Sequence, residues 1–263
     1  SGPSRIKGKW FGFGLLYCIK ESPRSSDRSW AFLMLSNGME AKVGTLGSKF
    51  EFFHEWKRLA EEDEGSVALE TMLRGICKKE NFLDLFENFI LYDHSGGHTA
   101  KILARNHQYL GVNEAMKAYT ARKLNDGKLG VFWHTQGSGK SYSMVFFAKK
   151  VRRKMEGTPT FVILTDRDEL NTQISDTFEN CGLLGKNIKA SKFMAASGDD
   201  LVKKLQGNPS FVFTLIQKFN QPDEPPIYPD HDIIIMSDEA HRSQYGTFAD
   251  NMCALLPTAS RLG

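Results

Sequence analysis

A length of 263 residues, 41% hydrophobic and 25% charged, suits one generous or two unequal soluble globular domains with a real core. No stretch approaches the ~20 uninterrupted apolar residues of a membrane span, and no secretory leader pattern opens the chain. The four cysteines (Cys18, Cys77, Cys181, Cys253) form no C-x-x-C pair, which argues against a disulfide frame or zinc knuckle and for a reducing cytoplasm. A net charge of +3 falls short of the basic footprint of a dedicated nucleic-acid module, so charge alone names no partner.

Ser1-Gly2-Pro3 reads as a cloning scar, and the chain as a piece of something larger. Residues 30–35 (WAFLML) form a predicted buried strand, ended by the turn signal Ser36-Asn37-Gly38. Aromatics at helical or loop spacing between Phe50 and Leu59 give way to the acidic run 61–64, a solvated boundary. Residues 66–92 carry apolar positions at helical spacing and are expected to be helices joining two parts. The segment 93–98 is a loop. From about residue 99 the pattern becomes short apolar strands alternating with helices. Helices are expected at 105–124, 141–155, 168–181 and 199–206, and strands at 129–133, 160–165, 210–214 and 232–237. That alternation implies a parallel sheet covered on both faces, an α/β doubly wound domain. The expected division is 1–64, 65–98 as a helical linker, and 99–263 as the doubly wound domain.

Two strings carry chemistry. His134-Thr135-Gln136-Gly137-Ser138-Gly139-Lys140-Ser141 lies between a predicted strand and helix. Phosphate oxygens need converging backbone N–H groups, and glycine lets the backbone come close. The helix that follows adds the partial positive charge of its amino end. Thr135, Gln136, Gly137, Ser138 and Gly139 would line the cradle, Lys140 would reach the β/γ phosphates of ATP, and the Ser141 hydroxyl would hold magnesium. The generic motif has Gly where this chain has His134. Asp238-Glu239-Ala240-His241 follows the apolar run 233–236, where open α/β sheets bind ligands. Asp238 would hold the magnesium and Glu239 would polarise the attacking water. A glycine turn or a plain helix N-cap is the competing reading of each string alone. Each string follows its own strand, about 100 residues apart, and the pair points to an ATP site.

Weaker signals surround these. Arg105 and Gln108 open the helix before the first strand of that domain, and an amide there can read adenine while an arginine stacks or holds phosphate. Thr165 and Arg167 end one strand, and Thr214, Gln217 and Lys218 follow another. Such groups at strand ends suit a nucleic-acid backbone track, against ordinary loop polarity. His94 and His98 stand four apart, but Gly96-Gly97 between them argues against zinc. Asp27, Glu40 and Lys42 mimic a nuclease set, but the turn at Asn37-Gly38 argues against it.

The strings at 132–141, 163–170 and 213–219, and above all Asp238-Glu239-Ala240-His241-Arg242-Ser243-Gln244-Tyr245-Gly246, resemble the restriction (R) subunit of Type I restriction–modification enzymes. His134 in place of Gly is typical of that family, and residues 35–45 resemble the last strands of its nuclease domain. The resemblance implies a RecA-like first motor lobe of helicase superfamily 2, preceded in 1–64 by the end of a nuclease-like domain. It implies ATP-driven translocation on double-stranded DNA coupled to cleavage, with modification and specificity subunits as partners, and a coupling role for His241 and Arg242. A motor lobe of another superfamily 2 helicase or remodeller is the alternative. Residues 1–35 supply no complete nuclease set, and the chain ends before the next motor motif. This piece is therefore expected to bind ATP without efficient turnover.

Overall fold

The computed structural model describes residues 32–46, 48–132, 137–221, 224–238 and 246–263. They fall into two compact units, one made of the described residues up to 92 with 99–111, and one of 93–98 with those from 112 to 263.

In the first unit, β1 (Leu33–Ser36) pairs antiparallel with β2 (Ala41–Gly44), with Leu35 opposite Lys42. The Asn37 side-chain oxygen accepts from the Met39 and Glu40 amides at 3.0 and 2.8 Å, which closes the turn predicted there. Two helices follow, α1 (Leu69–Ile76) and α2 (Lys79–Asn88), then β3 (Ile90–Asp93), which pairs with β4 (Ala100–Leu103). The helical expectation for 66–92 thus holds as far as Asn88 and then fails. Ile90 and Leu91 are both buried in a strand, and so short an apolar run does not distinguish helix from strand by spacing.

The helix α3 (Asn106–Thr120) runs from the first unit into the second. The second unit is a five-stranded sheet, all parallel, in the order β5-β9-β8-β6-β7. Its strands are β5 (Lys128–Gly130), β6 (Thr160–Thr165), β7 (Phe211–Leu215), β8 (Ile233–Ser237) and β9 (Ser260–Leu262). The intervening helices are α4 (Lys140–Lys154), α5 (Asp168–Asn180), α6 (Gly198–Gln206) and α7 (Gly246–Leu255).

Alternation along β6 explains the two layers. Val162 and Leu164 join Val212, Ile233 and Ile235 in a core with Leu201 and Leu205 of α6 and Met252 and Leu255 of α7. Phe161 on the opposite face stacks on Phe211 at 5.4 Å, and Phe178 of α5 meets Phe211 and Phe213 edge-on at 5.4 Å each. Because both faces are covered, every β6 residue is buried and the strand reads as a continuous apolar run. The fold is the expected doubly wound α/β sheet.

Candidate nucleotide site

All five strands run the same way, so the segments after β5, β6, β7 and β8 emerge at one carboxyl edge. The glycine loop leaves from β5. Gly137 and Gly139 have φ of 77° and 89°, the left-handed region that glycine enters at no steric cost. A Cβ on Gly137 would meet nothing within 4 Å, so backbone conformation, rather than crowding, calls for glycine, and the loop has open space beside it. Gly139 is the N-cap of the 15-residue α4 and supplies no side-chain cap, so the helix presents its first-turn amides and partial positive charge to the loop. Lys140 and Ser141 are the first two residues of α4, both half-buried. This geometry fits a phosphate chain.

Asp238 follows β8, and its amide donates to the Leu164 carbonyl at 3.0 Å, which carries the β8–β6 pairing one residue past Ser237. One strand, β9, separates β8 from β5, so the acidic residue and the glycine loop share an edge about 10 Å apart in strand spacing. The Ser141 hydroxyl and the Asp238 carboxylate are hard-oxygen donors of the kind magnesium takes. Thr135, Gln136, Glu239, His241 and Arg242 lie outside the described residues.

Beside this loop is an anchor that the sequence reading missed. The Tyr142 hydroxyl donates to Asp93 Oδ2 at 2.5 Å, the Ser95 amide donates to Asp93 Oδ1 at 2.7 Å, and the His94 amide donates to the Asn180 carbonyl at 3.1 Å. The loop 93–98 is thereby fastened to the start of α4 and the end of α5. Burial pushes the Asp93 carboxyl up, but the hydrogen bonds from Tyr142 and Ser95 outweigh it and hold the group below the usual carboxylate range. Burial, with the Asp93 charge second, raises the Cys181 thiol to about 12. The only local sign was the Asp-x-Ser spacing of an Asx turn.

At the same carboxyl edge, the candidate track residues divide. Thr165 and Thr214 are each 0% exposed, and their hydroxyls bond the Arg167 and Leu215 carbonyls at 3.4 and 3.3 Å. Arg167 and Gln217 reach solvent, Gln217 donating to the Asp166 carbonyl at 2.9 Å, and half-buried Lys218 donates to the Ala195 carbonyl. The structure therefore gives the two threonines a supporting position and leaves three polar side chains toward the surface.

Arg105 and Gln108 belong to the first unit. Gln108 is 3% exposed, and its side-chain oxygen accepts from the Arg105 amide at 2.8 Å, the reciprocal half of a capping box at the head of α3. Next to it, Asn106 accepts from the Lys57 and Arg58 amides and donates to the Arg58 carbonyl at 3.1, 2.9 and 2.9 Å. Of the discarded nuclease look-alikes, Glu40 lies on the exposed turn and Lys42 on β2 with its ammonium 5.2 Å over the Phe50 ring, while Asp27 lies outside the described residues. Gly96, with φ of 72°, interrupts the turn between His94 and His98. Among the described residues no helix is long and apolar enough to cross a membrane.

Comparison with known proteins gives the following. Residues 107–263 match the family model described as SWI2/SNF2 ATPase. The Type I restriction enzyme HindI endonuclease subunit of Haemophilus influenzae is 36% identical over 259 residues, covering 88% of this chain and 24% of that one. The putative type I restriction enzyme MjaIXP endonuclease subunit of Methanocaldococcus jannaschii is 32% identical with the same coverage. The chain thus spans about a quarter of the length of these relatives. Among solved structures, a Type ISP restriction-modification enzyme, LlaBIII bound to DNA, aligns over 73% of this chain and 15% of that one, with a TM-score of 0.44 and 14% identity. T4 UvsW aligns over 86% of this chain and 50% of that one, with a TM-score of 0.44 and 16% identity.

Proposed function

Since the chain belongs to the SWI2/SNF2 ATPase family, we propose that it is the ATP-binding motor part of a Type I restriction endonuclease subunit. The whole subunit translocates double-stranded DNA and cleaves it in the cytoplasm, in complex with modification and specificity subunits. The observation that carries this reading is the shared carboxyl edge. A left-handed glycine loop opens a long helix there, and an acidic residue ends a strand two places away.

Bound magnesium–ATP supplies the scissile phosphoanhydride. Gly137, Ser138 and Gly139, with Thr135 and Gln136, hold the phosphates by backbone amides, and Lys140 adds its charge. Ser141 and Asp238 would hold the magnesium, and Glu239 would orient the attacking water. Arg167, Gln217 and Lys218 contact the nucleic-acid backbone, supported by the buried Thr165 and Thr214, and His241 and Arg242 couple the two events.

The test is direct binding. Magnesium–ATP is titrated calorimetrically into this polypeptide and its Lys140→Ala variant. Losing a charge-assisted contact costs ~1.5–3 kcal/mol, roughly a ten- to hundredfold weakening. Equal binding by the two, or none by either at millimolar ATP, would reject the assignment. Nucleic-acid preference separates this reading from that of an RNA-directed motor. ATP turnover by the whole subunit should respond to duplex DNA and not to RNA.

A further inference from the structure

Away from the nucleotide edge, cations gather at one margin of the sheet. Arg152, Arg153 and Lys154 end α4, and the stretch after α5 adds Lys186, Lys189 and Lys192 at three-residue intervals. All six are exposed. Side-chain contacts draw the two stretches together. The Arg152 guanidinium donates to the Leu183 carbonyl at 2.9 Å and lies 5.5 Å over the Phe211 ring. Phe193, next to Lys192, meets the same ring edge-on at 6.2 Å. Phe211 starts β7, the edge strand, so the patch sits at the amino end of the sheet, opposite the glycine loop and Asp238.

The acidic residues of the same two segments do not cancel it. Glu179 takes a hydrogen bond from Lys189 at 2.8 Å and one from the Ala190 amide at 2.7 Å, and Asp176 and Glu156 are the other carboxylates of these segments. Six cations against three carboxylates leave a surplus of three. Compensation of the helix dipole accounts for the cations that end α4 but not for Lys186 and Lys192, which lie outside it.

We propose that this patch is a second phosphate-backbone contact for duplex DNA, carried by the motor unit at the opposite end of its sheet from the nucleotide site. The proposal rests on the DNA-motor reading above. Its partner class follows from what the patch has and lacks. Protein interfaces concentrate their affinity in apolar and aromatic anchors, and the segments 152–156 and 176–192 that carry the patch contain none of the exposed large hydrophobics among the described residues. Phosphates need only cations, and such contacts position a duplex without reading its sequence.

The experiment is fluorescence anisotropy of a labelled mixed-sequence duplex across a sodium chloride series. It compares the unaltered chain with the triple variant Arg153→Gln/Lys186→Gln/Lys192→Gln. A control with equal charge loss elsewhere, Lys79→Gln/Lys123→Gln/Lys203→Gln, separates a local contact from general attraction. Each lost phosphate contact lowers the slope of log affinity against log salt by about 0.9, so the patch triple should lose about 2.7 and bind roughly tenfold or more weakly near ~0.1 M salt. The control should lose less than about 1 on the same scale. Lys186→Gln alone, on an exposed turn, keeps the question answerable should the triple fold poorly, with an expected loss of about 0.9. Slopes for the patch variants equal to those of the unaltered chain or the control would overturn this proposal alone. Absence of duplex binding by the unaltered chain at low salt would overturn it together with the DNA reading. Arg167→Ala/Lys218→Ala in the same titration reports on the carboxyl-edge track independently.

Discussion

Tyr142 stands two residues past the lysine of the glycine loop, and its hydroxyl ends on a nearly buried carboxylate, Asp93 at 5% exposure. Removing the donor by Tyr142→Phe leaves that charge short of a partner, which costs ~1–3 kcal/mol of stability, measurable by urea unfolding at pH 7. The sign of its pH dependence follows from the depressed Asp93 pKa. Such a carboxylate contributes stability above its unfolded pKa, near ~4, and loses that contribution as pH falls through the lower folded value. The cost of Tyr142→Phe should therefore shrink between about pH 5 and pH 3, and a constant cost across that range would show that the charge is not involved. Glu239 makes a different kind of contribution. Its proposed work is on water in the transition state, so Glu239→Gln in the whole subunit should leave ATP affinity near the wild-type value while abolishing DNA-stimulated turnover. Normal steady-state phosphate release by that variant would remove Glu239 from the mechanism.

Among the elements, α1 shows how much a helix can depend on one missing side chain. Its buried positions Met72, Gly75 and Ile76 form a single stripe, and an added Cβ at Gly75 would come within 2.2 Å of Trp56 Nε1. Trp56 is 2% exposed and packs on Tyr109 at 5.3 Å, so it has little room to retreat. Gly75→Ala gains up to ~1 kcal/mol of helix propensity, against overpacking of about 1–3 kcal/mol or more. The variant should melt at a lower temperature than the wild type, and a raised midpoint would mean that the tryptophan moves freely. Elements also differ in how readily the chain announces them. The strand β6 was legible because both its faces are covered, so all six residues are buried and the central four, Phe161 to Leu164, are apolar. Ser260–Leu262 was not, because three residues flanked by ordinary polarity show no period of their own. The expected helix at 66–92 ran past its end for the same reason, since β3 buries Ile90 and Leu91 just after α2 stops.

For the molecule as a whole, binding and folding are linked. A ligand held only by the folded state adds about 2.7 kcal/mol at a hundred times its dissociation constant. Magnesium–ATP at that excess should raise the melting temperature of this chain, and Lys140→Ala at the same ATP concentration should show a much smaller shift. An equal shift in both would mean that the nucleotide binds elsewhere. The amino-acid sequence alone determined the class of the second unit, the two candidate ATP-site strings and the family resemblance. These are local properties: each string is short and directly follows a strand, β8 largely buried and β5 with only Leu129 buried. Only the tertiary structure decided that β9 lies between β5 and β8, which brings Asp238 and the glycine loop to one edge of the sheet on strands about two spacings, ~10 Å, apart. It also decided that Thr165 and Thr214 turn inward, that Gln108 closes a helix cap, and that Asp93 reaches Tyr142 across 49 residues. Strand order and side-chain partnership depend on contacts between segments far apart in the chain, and a sequence period records only which face of an element is buried, not what covers it.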